Sequence, residues 1–185
     1  MQPDLHHFGV LKTKLHCPAL PTDVIGRGNL VHQLSQAEGF GFTLLCAPAG
    51  FGKSTLLSAW LKQSRLPNGW LSLDAGDNDL VVFLEYFITA IQGIYPSACA
   101  VTLALCKSAT TTLPAELTSS LINEMDLLPG EFVLVLDDYH SIENEDIHQL
   151  IRAMILRPPR TLHLVMSSRQ DPPLPLAKLR AQGKM

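Results

Sequence analysis

The sequence lacks a long apolar segment, a surplus of basic residues and a targeting peptide, and each absence excludes a class of protein. No apolar run approaches the length of about 18 residues that a membrane-spanning helix needs. The first ten residues do not show the charged-then-apolar layout of a signal peptide. The 14 Lys and Arg residues are outnumbered by 17 Asp and Glu residues, which gives a formal net charge of -3. We therefore expect a cytoplasmic chain with no membrane partner, in which any DNA-binding part lies elsewhere.

The four cysteines show no C-x-x-C spacing, and the histidines near the N-terminus match no zinc-binding pattern. One of the cysteines, Cys46, falls inside an apolar run that we predict to be a buried strand. We expect reduced thiols that pack as small apolar side chains. The cysteines are Cys17, Cys46, Cys99 and Cys106.

The composition is that of one globular domain. A chain of 185 residues, with 46% hydrophobic and 17% charged residues, is long and apolar enough to bury a full core. Residues 1–22 contain three prolines and little periodicity. We predict an extended leader over residues 1–22 and a single domain over residues 23–185.

The most informative stretch, FTLLCAPAGFGKSTLL, covers residues 42–57 and joins a short apolar run, a glycine-rich loop and an apolar pattern of helical period. This is the order of a P-loop, in which backbone N–H groups and the positive end of a helix bind phosphate oxygens. Ala47 occupies the position where the strict pattern has Gly, a replacement that many P-loops accept. We predict that Lys53 contacts the β- and γ-phosphates of a nucleotide and that Ser54 places its hydroxyl on Mg²⁺.

A second apolar run, residues 132–136, ends in Asp137 and Asp138 about 80 residues after the P-loop. The run is typical of a strand buried on both faces of a parallel sheet, and its carboxyl end is where such sheets bind ligands. Two adjacent buried acids are costly unless a cation lies near them. We predict that Asp137 holds Mg²⁺ through water beside Ser54 and that Asp138 orients or activates the attacking water.

Two arginines are candidates for contact with the nucleotide, and each has an ordinary alternative. Arg27 lies in a Gly-Arg turn before the P-loop strand. Such a segment often lies across adenine, with the Arg near the phosphates, but an ordinary surface charge fits the spacing of Arg27 equally well. Arg169 follows the strand predicted over residues 161–166, and there it would sense the γ-phosphate or stabilise charge in transfer. The alternative for Arg169 is an exposed ion pair with Asp171.

The remaining segments complete an alternation of strands and helices. We predict a further strand over residues 70–73, and three helices that include residues 83–94, 114–128 and 147–155. We expect a parallel sheet of four strands in the order 1-4-3-2, with the P-loop strand at one side and helices on both faces.

Other segments are less regular. The acid-rich residues 74–79 do not match a calcium-binding loop, and we expect Asp77 or Asp79 to cap the next helix. Residues 96–113 show no clear pattern. The proline-rich and then basic residues 172–185 are interpreted as a lid or linker.

Several segments together resemble the N-terminal ATPase domain of the MalT-like, large LuxR-type transcriptional regulators, which belong to the STAND class of signal-transduction NTPases. The segments are TKLH at Thr13, IGR at Ile25, APAGFGKSTLL, WLSLDAGDND, FVLVLDDYH and SSRQDPPLPLAKLRAQG. This resemblance implies an α/β fold, the P-loop NTPase three-layer sandwich with a parallel sheet. It also implies a switch in which ADP holds a resting state, while an inducer and ATP promote a form that self-associates. In such regulators a C-terminal helix-turn-helix, absent from this chain, binds promoters.

The resemblance also assigns roles to single residues. Asp137 and Asp138 would be the acidic pair, with Asp138 catalytic; Arg169 would be the catalytic sensor and Arg27 would lie by the nucleotide. The fifth strand of the family core, normally beside the P-loop strand, would follow the last residue of this chain, which predicts an exposed edge on the P-loop strand. The residues expected to contact ATP or ADP are Ile25, Arg27, Ala47, Pro48, Ala49, Gly50, Phe51, Gly52, Lys53, Ser54 and Thr55.

Two other functions stay open. A metabolic P-loop enzyme, such as a small-molecule kinase, would need an acceptor pocket and a lid, for which the sequence offers no clear candidate. A nucleotide-binding remnant without turnover would act only through interaction. The enzymatic activity that we expect is therefore at most that of a slow, Mg²⁺-dependent regulatory ATPase.

Overall fold

The computed structural model describes residues 10–20, 27–108 and 113–185. Its strands are β1 (Phe42–Cys46), β2 (Asn68–Ser72), β3 (Phe132–Asp137) and β4 (Leu162–Ser168). Its α-helices are α1 (Gly28–Gln36), α2 (Lys53–Leu61), α3 (Leu80–Gln92), α4 (Ala100–Lys107), α5 (Pro114–Asp126), α6 (Glu145–Leu156) and α7 (Leu176–Ala181). Short 3₁₀ turns cover Lys12–Leu15, Ala37–Gly39, Ala75–Asp77 and Tyr139–Ser141.

The four strands form one parallel sheet in the order β1-β4-β3-β2. The predicted number of strands, their parallel direction and their predicted order are all confirmed. The central strands β3 and β4 are buried along their whole length, while β1 is only partly buried. Among the described residues β1 pairs with β4 alone, so its other edge carries unpaired backbone groups, as the sequence predicted.

The sheet lies between two apolar layers, because successive side chains of a strand point to opposite faces. On one face, Leu134 and Leu136 of β3 join a large core formed with α3, α5, α6 and α7. On the other face, Val133 and Val135 pack in a smaller core with α1 and α2. The molecule is therefore a three-layer sandwich, which is the predicted fold class.

Several helices begin where the sequence places a capping residue. The Asp79 carboxylate accepts hydrogen bonds from the backbone N–H groups of Val81 and Val82 at 2.9 and 3.0 Å, which fixes the start of α3. Pro114 occupies the first turn of α5. Asp77, the other predicted cap, is instead buried in the 3₁₀ turn before α3.

Two predictions were wrong. Cys46 is exposed, because it is the last residue of β1 and this strand lies at the edge of the sheet. The segment predicted as a lid or linker contains α7, whose Leu176 and Leu179 are buried in the larger core. In addition, α4 occupies part of the stretch of residues 96–113 that showed no pattern.

Within the described ranges, no helix is long and apolar enough to cross a bilayer.

Candidate nucleotide-binding site

The loop between β1 and α2 has the backbone shape that phosphate binding requires. Gly50 and Gly52 have φ angles of 81° and 72°, a left-handed conformation that side chains disfavour. Lys53, the first residue of α2, folds back along the loop, and its Nζ donates hydrogen bonds to the carbonyl oxygens of Ala47 at 2.8 Å and Pro48 at 3.2 Å. The lysine ammonium thus lies on the loop itself, next to the free end of the helix.

The first turn of α2 supplies unpaired donors at the same place. The backbone N–H groups of Lys53, Ser54 and Thr55 donate no hydrogen bond to another described residue, whereas Leu56 N–H bonds to the Gly52 carbonyl. The side chains of Ser54 and Thr55 are half-buried at this helix start. Because the helix dipole is positive here, these donors are arranged like those at the start of a helix that binds an anion.

Arg27 lies against the P-loop, as one of its two interpretations required. Its Nη1 donates a hydrogen bond of 2.6 Å to the carbonyl oxygen of Phe51. A Cβ atom placed on Gly52 would lie 3.6 Å from Arg27 Nη2, so the guanidinium packs close to the glycine. Ile25, the other residue predicted in this segment, lies outside the described residues.

The two aspartates at the end of β3 occupy different surroundings. Asp137 is 4% exposed, and the hydroxyl of Ser167 on the neighbouring strand β4 donates a short hydrogen bond to its Oδ1. The same hydroxyl oxygen accepts a hydrogen bond of 3.1 Å from the backbone N–H of Asp138. Ser167 therefore fixes both residues at once, a contact that sequence reasoning did not identify.

Asp138 turns the chain sharply after the strand. Its φ of 59° is left-handed, an uncommon conformation for a residue with a side chain. This turn brings the imidazole of His140 back toward the carboxylate of Asp138, with Nδ1 3.7 Å from Oδ1. His140 Nδ1 is buried and accepts or donates no hydrogen bond among the described residues.

His140 is another site residue that the sequence did not identify, although it belongs to the quoted segment FVLVLDDYH. Burial is the largest influence on its pKa and lowers it; the Asp138 carboxylate opposes this effect, and the positive charges of Arg169 and Lys53 lower the pKa further. His140 is therefore within electrostatic reach of the P-loop lysine, the acidic pair and the arginine after β4. Predicted site residues from three separate segments therefore carry charges that act on this imidazole.

Arg169 is exposed at the end of β4, and the described residues contain no ion pair between it and Asp171. The alternative interpretation of Arg169 as half of such a pair is therefore not supported. Its charge instead acts on His140.

A magnesium ion fits this arrangement only with the help of ligands from outside the protein. In the described part of the chain no group of three or more His, Cys, Asp or Glu side chains could hold a metal by itself. Asp137 keeps its Oδ2 without a hydrogen bond to a described residue, since Ser167 takes Oδ1. One carboxylate and one hydroxyl agree with Mg²⁺, which keeps several waters and takes the rest of its ligands from phosphates.

The chain is similar to curated transcriptional regulators over nearly its whole length. It is 36% identical over 177 residues to the HTH-type transcriptional regulator MalT of Yersinia pestis, and 34% identical to MalT of Yersinia enterocolitica. The matched region is 95% of this chain but only 19% of each relative, so the chain spans about a fifth of their length. No protein-family model matches the chain.

Solved structures share the fold at low sequence identity. Cdc6p from Pyrobaculum aerophilum is 16% identical, with 95% of this chain and 48% of that chain covered and a TM-score of 0.55. The ORC1 protein of Aeropyrum pernix, solved in complex with DNA, is 15% identical, with 81% and 40% covered and a TM-score of 0.51. These likenesses concern the fold alone. The chain has the fold of a P-loop NTPase domain, and its predicted resemblance to the MalT-like transcriptional regulators is confirmed.

Proposed function

We propose that the chain is the ATP- and ADP-binding switch domain of a LuxR/MalT-type transcriptional activator, located in the cytoplasm, with slow Mg²⁺-dependent ATP hydrolysis. The observation that carries the proposal is that the Lys53 ammonium and the unpaired N–H groups at the start of α2 follow β1, while Asp137 and Asp138 follow β3 at the same edge of the parallel sheet. The similarity to MalT supports the regulatory part of the proposal.

The P-loop side of the site would hold the phosphates. The free N–H groups at the start of α2 and the Lys53 ammonium would bind the β- and γ-phosphates, and the lysine would exchange the carbonyls of Ala47 and Pro48 for phosphate oxygens. Arg27 lies against the same loop and would contact the nucleotide from the other side. Ala49, Gly50, Phe51, Gly52 and Thr55 would contribute through the backbone of the loop and the first helical turn.

The β3 side of the site would carry the chemistry of hydrolysis. Ser54 and Asp137 would hold Mg²⁺, largely through water, and the ion would neutralise charge on the phosphates. Asp138, with a side chain that is 41% exposed, would orient or activate the attacking water. Arg169 would sense the γ-phosphate and stabilise the charge that develops in transfer.

In the full-length regulator, hydrolysis of ATP at this site would reset the regulator to its resting state, and the ADP formed would not serve as a metabolic product. ADP would hold a resting state and ATP would favour self-association, while DNA would be bound by other parts of the regulator. The net charge of -3 on this chain agrees with that division.

The nucleotide that copurifies with the chain tests the switch directly. We expect the purified chain to carry ADP that remains bound through gel filtration. ATP should bind only after it has replaced this ADP. A chain that binds neither ADP nor ATP in calorimetry would overturn the proposal. Binding of both nucleotides without any measurable turnover would instead support the alternative of a non-hydrolysing remnant.

A further inference from the structure

The acid-rich loop after β2 contains one side chain, Asn78, whose hydrogen-bonding capacity is filled completely. Its Oδ1 accepts the backbone N–H groups of Glu143 at 2.6 Å and Asn144 at 3.1 Å. Its Nδ2 donates to the carbonyl oxygens of Ser141 at 2.8 Å and Ala75 at 3.2 Å. A primary amide has two donor and two acceptor positions, so the surroundings of this side chain select Asn over the isosteric Asp.

Three of these four contacts reach more than 60 positions along the chain, to the segment that follows the acidic pair. Ser141 ends the 3₁₀ turn that contains His140, and Asn144 is the N-cap of α6. The Asn144 side chain returns the contact, because its Nδ2 donates to the backbone carbonyl of Asn78 at 2.9 Å. The loop after β2 and the segment of residues 141–144 are therefore joined in both directions.

The loop that presents Asn78 is itself fixed. Asp74 and Asp77 form a reciprocal capping box around the 3₁₀ turn, in which the Asp77 carboxylate accepts the N–H of Asp74 at 2.8 Å. Lys14 closes the box with ion pairs of 2.9 Å to Asp74 and 2.7 Å to Asp77. Asp77 is 1% exposed, and its carboxylate is held both by the Lys14 ammonium and by the N–H of Asp74.

The acidic turn needs such support because its backbone is strained. A left-handed non-glycine residue persists only where neighbouring contacts determine its conformation. Ser167 holds Asp138 from β4, and Tyr139 is held from α6 by a hydrogen bond of 2.8 Å between its hydroxyl and His148 Nδ1. Asn78 supplies the third contact, from the side of β2.

We propose that Asn78 is a positioning residue for nucleotide hydrolysis: it holds residues 141–144 so that Asp138 and His140 keep their places beside the P-loop. This inference rests on the proposed function, since it assigns Asn78 to the hydrolytic site. Among the described residues, Asn78 makes no hydrogen bond to the P-loop or to Arg27, so we expect its loss to act on the acidic turn and not on phosphate binding.

The test compares Asn78→Asp and Asn78→Ala with the parent chain. The first change keeps the shape but turns a carboxylate oxygen toward the carbonyls of Ser141 and Ala75, while the second removes the contacts without adding charge. The dissociation constant for Mg-ATP is measured by calorimetry, hydrolysis by single-turnover assay, and the imidazole signals of His140 by NMR. Asn68→Asp, an exposed amide at the other end of β2, is the matched control.

Both variants are expected to bind Mg-ATP within about twofold of the parent, while hydrolysis falls by about 100-fold, as for a small misplacement of a reacting group. The His140 signals should shift in both variants and not in the control. Hydrolysis at the parent rate, or an equal loss of binding and hydrolysis, would overturn the inference.

The NMR measurement separates this inference from the proposed function. If the parent chain hydrolyses no ATP, the proposed ATPase fails, but a shift of the His140 signals in the Asn78 variants still supports positioning of the turn. Unchanged His140 signals in folded Asn78→Ala would refute positioning whatever the rate of hydrolysis. Circular dichroism establishes that each variant is folded.

Discussion

The imidazole of His140 and the carboxylate of Asp138 lie 3.7 Å apart, measured from Nδ1 to Oδ1, on the left-handed turn that ends β3. The imidazole is 17% exposed and the carboxylate 41% exposed, so the carboxylate is the more accessible of the two. Asp138 is therefore the residue of this pair that solvent reaches more easily, and His140 is the more shielded base. We expect Asp138 to act on the attacking water and His140 to sense the charge of a bound nucleotide.

Asp138→Asn removes the proton acceptor and keeps the shape of the side chain. We expect nucleotide binding close to that of the parent and hydrolysis slower by about 100-fold or more, the usual contribution of a positioned general base. The measurement is single-turnover hydrolysis of ATP beside calorimetric binding. Asp146→Asn, an exposed acid in the first turn of α6, is the control and should leave hydrolysis unchanged. Normal hydrolysis by the Asp138 variant would remove this residue from the mechanism.

His140 should report the arrival of a nucleotide through its pKa. In the free chain burial lowers the pKa of His140, and the charges of Arg169 and Lys53 add to that effect. ADP added without Mg²⁺ brings negative phosphates, which stabilise the protonated imidazole, so the pKa should rise. NMR titration of the imidazole protons measures this, with the exposed His16 as internal control. A pKa that stays constant or falls on addition of ADP would place the phosphates away from His140.

His163 should make the fold sensitive to acid. It is 4% exposed, its Nε2 shares a hydrogen bond of 2.9 Å with Thr43 Oγ1, and burial lowers its pKa to about 4. The unfolded chain therefore binds this proton more readily than the folded one, and the stability that the neutral imidazole contributes is lost as the pH falls. Between pH 7 and pH 5 the free energy of unfolding should fall by about 2 kcal/mol through this group.

Denaturant unfolding of the parent and of His163→Gln at both pH values checks this expectation. Glutamine can keep the hydrogen bond to Thr43 but does not titrate, so the variant should lose a smaller part of its stability on acidification. Equal losses in the two proteins would show that another group causes the acid sensitivity.

The sequence was sufficient for the sheet and for the residues that lie on it. Continuous apolar runs identified β3 and β4, whose residues are buried on both faces, and right-handed crossovers placed helices on both sides of the sheet. The P-loop and the acidic pair follow from their places at the ends of β1 and β3. These features depend on the order of residues within short segments, which the sequence itself shows.

The residues that were missed depend on contacts between distant segments. His140 approaches Asp138 because Asp138 adopts a left-handed backbone, a conformation that Asp takes more often than most side-chain-bearing residues but still uncommonly, so the sequence did not predict it here. Asn78 acts on residues 141–144, and Ser167 acts on the acidic pair from the neighbouring strand. The exposure of Cys46 follows from the edge position of β1, which is a property of the whole sheet.

The central claim is that the loop before α2 binds a nucleotide by its phosphates, and calorimetry with Mg-ADP and Mg-ATP on Lys53→Ala tests it most directly. Lys62→Ala, an exposed lysine just beyond the end of the same helix, is the matched control. The account predicts affinity lower by about 100-fold for Lys53→Ala, from the loss of a charge-assisted contact, and parent affinity for the control. Unchanged affinity in a folded Lys53→Ala chain would contradict it.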